Sequence, residues 1–583
     1  MGAMVKPMTA LLAGTMLLGA CATVSPPTPV SAVPQERVSA SEVNGEGTGL
    51  VSAADPRAAE AGAAMLRQGG SATDAAIASM LALTVVEPQS SGIGGGGFYV
   101  RATPDGTVTT IDGRETAPHA AGPDWFLGEE GEPVDRRAAV MSGLSVGVPG
   151  NIALAALAHE QHGALEWSAL FAPSIALARD GWVLTERFVD AAARNRERGA
   201  LTPEGRALFF DQAGEPLPAG THVRNEAFAQ TLERIAREGP QAFYHGTAAA
   251  ELARVVAAET PHEQAMTAAD LANYRATPRA PVCGLYRAYR ICGMAPPSSG
   301  ATTVYAILKQ LEHFDLGALG PQSPTFWHLF AESQRLAYAD RELYLADADH
   351  VAVPVAGLMD PDYLAARGAL ISPTAVMADV EAGAVPGAVP LAEGTLGEEG
   401  GTSHIVALDR EGVLVSYTST IEGPFGSGIV TGGYYLNNEL TDFSFVPEQD
   451  GLPVANRVEG GKRPRSSMAP TVVYAPDGRL LMAVGAAGGA TILVQVARAL
   501  FGVIDFGLPV EQALALPVLY SPGDTVSVEA GSMLEAMIPA LQALGHREVS
   551  PRELPLKANA ALLEADGWMG AADPRSEGAA IVE

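Results

Sequence analysis

Apolar residues recur at helical spacing from Ala53 to Val86, most clearly over Ala58 to Leu66 and Ala75 to Val86, and Gln68-Gly69-Gly70 interrupts them as a stop signal. The pattern predicts two helices ahead of a glycine run and a strand over Phe98 to Ala102. Residues 150 to 275 carry mostly helical patterns, 278 to 293 return to strands, and Pro296-Pro297-Ser298-Ser299-Gly300 reads as a loop. A long helix is expected from about Thr303 and another from Pro324 to Leu345. The stretch from Ala378 to Gly401, rich in Ala, Gly, Pro and Glu, reads as an extended, mobile lead-in to the Gly401–Thr402 junction. Beyond that junction the period changes to two. His404 to Asp409 and Val413 to Ile421 flank the turn Arg410-Glu411-Gly412, and Thr471 to Tyr474 and Leu480 to Val484 flank Pro476-Asp477-Gly478. Ala490 to Leu500 and Val510 to Leu516 then read as helices. Strands and helices that segregate rather than alternate indicate an α+β chain, with sheets packed between helical layers.

The junction where the period changes carries the chemistry. Gly400-Gly401 precedes Thr402-Ser403-His404, which opens a strand, so the Gly401–Thr402 peptide is sterically open and has a hydroxyl beside its own carbonyl. Attack by that hydroxyl, followed by hydrolysis of the ester, would leave Thr402 as a new N-terminus. Its α-amino group, with a pKa near neutrality, could then serve as the base for its own hydroxyl. The alternative role for a threonine there is that of an ordinary β-former.

Composition narrows the partners and the compartment. The 583 residues are 47% hydrophobic and 18% charged, with a net charge of −29. Such a surface repels phosphate backbones, and no basic cluster offsets it, so nucleic acid is excluded as a partner. Lysine is confined to Lys6, Lys309, Lys462 and Lys557. The apolar run Met8 to Ala20 is too short to span a bilayer and reads as a signal segment. Its end, Leu18-Gly19-Ala20-Cys21, with a Pro/Ser/Val-rich tether behind it, resembles a bacterial lipoprotein signal in which Cys21 is acylated; cleavage after Ala22 is the alternative. The first reading gives residues 1–21 as signal and lipidated cysteine, 22–48 as tether, and a periplasmic protein anchored by lipid to the outer membrane. Cys283 and Cys292 lie in two short β-like runs about a turn, either joined as a disulfide or standing as two small buried hydrophobes.

Further segments complete a recognisable set: Gly94 to Phe98, Asp112-Gly113-Arg114-Glu115-Thr116-Ala117-Pro118, Lys462 to Pro470 and Gly485 to Gly489. With the 402 to 444 stretch, and in this order, they resemble the gamma-glutamyltransferase (gamma-glutamyl transpeptidase) family of N-terminal-nucleophile hydrolases from about Gly49 onward. The resemblance implies a four-layer αββα sandwich that cuts itself at Gly401–Thr402 into a large subunit (49–401) and a small one (402–583), held together as a heterodimer. It implies cleavage of the γ-glutamyl amide of glutathione and related donors through a Thr402 acyl-enzyme, with water, amino acids or dipeptides as acceptors. Thr420 would hydrogen-bond the nucleophile, and Gly488 and Gly489 would bind the oxyanion. Arg114, with Ser466 and Ser467, would take the donor's α-carboxylate; Glu422, Glu439 and Asp442 would take its ammonium. The two glutamates replace amides found in some members, and crowded carboxylates cannot all ionise cheaply. The stretch between Asp442 and Ser466 is short and lacks Tyr and Trp, which predicts an open pocket.

Rival readings remain. A cephalosporin or glutaryl acylase on the same scaffold would use Thr402 but alter the ammonium pocket, and Gly143-Leu144-Ser145-Val146-Gly147 has the form of a serine-hydrolase elbow. The glycine run at Gly92 to Gly97 follows a helix and opens a strand, the reverse of a dinucleotide fold, and His159 and His162 lack zinc-helix spacing. No cofactor or metal is expected.

Overall fold

A computed structural model describes residues 1–2, 49–394 and 400–583. All but the first two residues of the expected signal segment, with Cys21 and the whole of the tether, lie outside the described residues. From Gly49 onward the described chain forms one unit that crosses the 401/402 junction without a boundary. Among the described residues no helix is long and apolar enough to cross a membrane.

Two antiparallel sheets organise it. The larger has seven strands in the order Ala579–Val582, Leu50–Ala53, Ser403–Leu408, Leu414–Thr420, Gly96–Ala102, Val108–Gly113 and Thr277–Arg279. The smaller has six: Gly567–Ala572, Lys557–Glu564, Leu480–Ala487, Thr471–Tyr474, Tyr289–Gly293 and Val282–Tyr286.

Period-two alternation decides which face each strand residue buries. Val51, Tyr99, Ile405, Ala407, Val415 and Tyr417 pack into one core with the helices Pro56–Arg67 and Ala72–Val86. Their neighbours Leu50, Phe98, Val100, Val406, Leu408 and Leu414 enter a second core with Val472, Met482 and Val484 of the smaller sheet and with the helices Gly300–Gln310, Pro324–Tyr344 and Thr491–Ile504. His404 lies on this inter-sheet side. Its imidazole fills the space over Gly485, where an added Cβ would fall 2.3 Å from the ring, and its Nδ1 is 2.9 Å from Thr418 Oγ1. Burial drives its pKa down to about 3, so it is neutral.

The helix pair forms as its sequence directs. Asp55 caps the first helix with Pro56 at its start, and Ser71 and Asp74 make a reciprocal capping box on the second. The second helix is buried along its whole length, which is why its apolar pattern runs all round. Cys283 and Cys292 stand opposite each other in the hairpin register and are joined by a disulfide. The lead-in over 378–394 has no helix or named strand, yet it does not hang free. Gly383 donates to Asp340 and accepts from the Tyr344 hydroxyl, and Ala392 donates to the Pro453 carbonyl. That tethering corrects the expectation of a mobile segment there, while residues 395–399 lie outside the described residues.

Candidate active site

Thr402 stands immediately before the strand Ser403–Leu408, at the centre of the larger sheet. Its N–H donates to the Ser90 carbonyl (3.0 Å), and its hydroxyl donates to Thr420 Oγ1 at 3.1 Å. Thr420 ends the adjacent strand, and its oxygen also accepts the Glu422 N–H (2.8 Å), which fixes it as an acceptor facing Thr402. Close packing behind Thr420 depends on the glycine run, since a Cβ on Gly95 would come within 2.0 Å of the Thr420 carbonyl.

The peptide before Thr402 is gripped from both sides. Gly401 N–H donates to the Glu422 carbonyl (2.5 Å), and a Cβ on Gly401 would fall 2.1 Å from that same oxygen. On the far side the Gly488 N–H donates to the Gly401 carbonyl at 3.3 Å. Gly488 and Gly489 have φ of 118° and 59°, and a Cβ on Gly488 would meet the Pro555 carbonyl at 2.3 Å. Only glycine allows that approach. The helix Thr491–Ile504 begins just beyond, so its N-terminal dipole favours negative charge in the same place. Thr402 has φ of 102° and Glu422 of 72°. For a β-branched residue this conformation is an outlier, of a kind costing about 1–3 kcal/mol. The site therefore offers a hydroxyl with an acceptor beside it, next to a strained peptide whose carbonyl is polarised by a backbone donor.

A buried charge cluster adjoins it. Arg114 follows the strand Val108–Gly113 and is 1% exposed. Its guanidinium pairs with Glu439 and with Asp442 (2.5 Å) and donates to the carbonyls of Pro464 (3.1 Å) and Arg465 (2.9 Å). The arginine fork expected to take a substrate carboxylate is thus engaged by two of the chain's own carboxylates. Glu115 is fully buried with its carboxyl against that of Glu439, and Glu422 and Asp442 each leave one oxygen unmatched among the described residues. The other Glu422 oxygen receives Asn438 Nδ2. Burial pushes the Glu115 carboxyl up to about 7 and the Glu422 carboxyl to about 8, with Asp442 adding to the latter. Burial raises Glu439 well above the carboxylate range, and Arg114 opposes that.

The serine pair lies alongside. Ser467 Oγ accepts from Arg341 (2.6 Å), and Ser466 Oγ accepts the Met468 N–H (3.2 Å). The short stretch after Asp442 does not leave the pocket open in the uncut chain. Thr402 and Glu422 are each 5% exposed, and Phe445 stacks on Phe126 with ring centroids 4.0 Å apart. Ion pairing draws Arg114, Glu439 and Asp442 together, and the Phe445–Phe126 stack packs the segment that follows Asp442.

Ser145 is corrected outright. It is fully buried in the short turn Gly143–Ser145, and its hydroxyl donates to the Val140 (2.8 Å) and Ser142 (2.9 Å) carbonyls. The two main sheets are antiparallel, so the parallel strand-to-helix elbow required of a serine hydrolase is not built there. Residues assigned no role from sequence also enter the site. Glu115 lies inside the Asp112 to Pro118 segment beside Arg114. Ser90, Glu87 and Lys557 had no local signal at all.

Comparison with known proteins places the whole chain beside one family. The family model for gamma-glutamyltranspeptidase matches residues 58–583. The chain is 36% identical over 550 residues to the glutathione hydrolase proenzyme of Bacillus subtilis (strain 168), covering 91% of each. It is 34% identical over 589 residues to the glutathione hydrolase proenzyme of Escherichia coli (strain K12), covering 98% of this chain and 99% of that one. Among solved structures it superposes on a cephalosporin acylase from Bacillus halodurans with a TM-score of 0.78, at 25% identity, over 95% of this chain and 98% of that one. The chain belongs to the gamma-glutamyltranspeptidase family.

Proposed function

We propose that this protein is a self-processing glutathione hydrolase and γ-glutamyltransferase, built as a four-layer αββα sandwich, with Thr402 as nucleophile. The observation that carries the reading is the hydrogen bond from Gly488 N–H to the Gly401 carbonyl, opposite a Thr402 hydroxyl held by Thr420. In the first step Thr402 Oγ1 attacks the Gly401 carbonyl carbon, and its proton is relayed through the Thr420 hydroxyl, which gives up its own, to the Thr402 nitrogen as that nitrogen leaves. The Gly488 N–H receives the developing negative charge, and the C–N bond to Thr402 breaks. Water then hydrolyses the ester. This leaves a large subunit ending at Gly401 and a small one beginning with a free Thr402 amine.

In turnover that amine accepts the Thr402 hydroxyl proton as the oxygen attacks the γ-carbonyl of a donor such as glutathione, and the same proton goes to the departing amine. Water, an amino acid or a short peptide then takes the glutamyl group from the ester. Arg114, Ser466 and Ser467 are assigned to the donor's carboxylate, and Asp442, Glu422 and Glu439 to its ammonium. A denaturing gel with N-terminal sequencing tests the scheme. Wild type should give a small fragment starting at Thr402, and Thr402→Ala should stay a single inactive chain. Full activity from an uncut chain would sink it.

The likeness to a cephalosporin acylase keeps a second reading in view, in which the same nucleophile takes glutaryl amides. Both charged groups of a γ-glutamyl donor have candidate partners here, so the transferase reading stands first. Turnover of glutaryl amides at the rate of γ-glutamyl amides would reverse that order. The proposal extends to export and acylation at Cys21, which Cys21→Ser should convert from membrane-bound to soluble periplasmic protein.

A further inference from the structure

Among the four lysines of the chain, Lys557 is buried against Ser403, the residue that follows the nucleophile. Its ammonium donates to Glu87 Oε2 (2.9 Å) and to Ser403 Oγ (3.2 Å), and the Ser403 hydroxyl itself donates to the same Glu87 oxygen (2.6 Å). Glu87 stands at the C-terminal cap of the helix Ala72–Val86. Its carbonyl accepts the Ser90 N–H (2.8 Å), and the Ser90 carbonyl in turn accepts the Thr402 N–H (3.0 Å). Lys557 also reaches the oxyanion side. It opens the strand Lys557–Glu564 opposite Ala487, and its backbone N–H donates to Gln495 (3.2 Å). Gln495 donates to the Ala487 carbonyl and to Thr491, whose hydroxyl donates to the Gly488 carbonyl (2.7 Å).

This arrangement answers a difficulty in the proposed function, on which the inference rests. Opening the Gly401–Thr402 bond creates an amine on the residue before Ser403, whose hydroxyl donates to the buried Glu87 carboxylate. An unpaired Glu87 would favour the ammonium form and remove the lone pair that the base needs. We infer that Lys557 is a positioning residue for the catalytic base: by binding Glu87 it prevents that carboxylate from capturing the new Thr402 amine, which stays neutral and aimed at the Ser90 carbonyl. The other charges acting on Lys557 are Asp55, which caps the helix Pro56–Arg67, and Arg187, on the helix Glu186–Arg194. On the Thr402 side stand Glu422 and Arg198, the latter donating to the Pro424 carbonyl, while His404 on the inter-sheet face is uncharged. Burial pulls the Lys557 ammonium below its ordinary range, and the Glu87 charge opposes that loss.

The test compares mature wild type with Lys557→Gln, Glu87→Gln and the double variant, using a chromogenic γ-glutamyl anilide across pH. Freeing Glu87 in Lys557→Gln should move the acidic limb of kcat/KM upward by about one pH unit or more. Activity at pH 7 should fall by about tenfold. Removing the carboxylate as well should return the limb toward its wild-type position. A purely structural pair would leave the limb in place and make the double variant no better than the single one, and that result overturns the inference. N-terminal sequencing separates the two claims: wild type without a Thr402 terminus fells the proposed function and this inference together, whereas correct cleavage with an unmoved limb fells only the inference. If Lys557→Gln fails to mature, the wild-type amine is titrated directly by the pH dependence of its acylation, read by mass spectrometry. A midpoint below the free α-amino range of about 7.7–8.0 supports the inference, and one at or above it overturns it.

Discussion

Gly401 has no room for a side chain, because a Cβ would lie 2.1 Å from the Glu422 carbonyl that also accepts the Gly401 N–H. Gly401→Ala should therefore displace the carbonyl from Gly488 and slow maturation by an order of magnitude or more, read as uncut chain accumulating on a denaturing gel. The acidic cluster makes a second prediction at this scale. Glu115 and Glu422 keep their protons in the fold up to about 7 and about 8, whereas an unfolded glutamate releases its proton near 4.3. Between those values the folded chain binds more protons than the unfolded one, so this contribution to stability is present in acid and lost as pH rises. Glu115→Gln and Glu422→Gln should raise the melting temperature relative to wild type at pH 8, and by less at pH 5. An equal effect at both pH values would show that the carboxyls titrate normally.

Elements differ in how much they owe to local sequence. The hairpin of Ser403–Leu408 and Leu414–Thr420 was legible because its alternation survives burial on both faces, and the capped helices were legible from Asp55-Pro56 and Ser71. Leu50–Ala53 was missed: four residues, all buried, leave no period to read. Lys557–Glu564 was missed because Ala-Asn-Ala-Ala-Leu-Leu resembles a helix, and only pairing with Leu480–Ala487 makes it a strand. The motif residues of the candidate site were legible since each lies in a short, distinctive segment. The occupation of Arg114 by Glu439 and Asp442, and the Lys557–Glu87 pair, join residues hundreds of positions apart and could not be read. The hairpin Val282–Tyr286/Tyr289–Gly293 sits at the sheet edge, where its disulfide closes a short loop. Cys283→Ser with Cys292→Ser should cost roughly 2–3 kcal/mol of stability while sparing activity, checked by thermal melts with and without reductant.

Across the whole molecule, the strand beginning after Thr402 lies between Leu50–Ala53, from upstream of the Gly401–Thr402 bond, and Leu414–Thr420, from downstream of it. Ala579–Val582 closes against Leu50–Ala53 on the other side. Fragments released by the proposed cleavage would therefore share one hydrogen-bonded sheet and two cores, and they should co-elute as a single species in native gel filtration, separating only on denaturation. The same interleaving bears on timing. Gly488 and Lys557 lie far downstream of the bond whose opening they are assigned to assist, and neither reaches it until the smaller sheet has assembled against the larger. Under the proposed scheme a nascent chain carries an inert threonine through synthesis, and a chain stalled before Gly488 stays inert. Activation then certifies that the polypeptide has been finished and folded, with no external protease needed to inspect it.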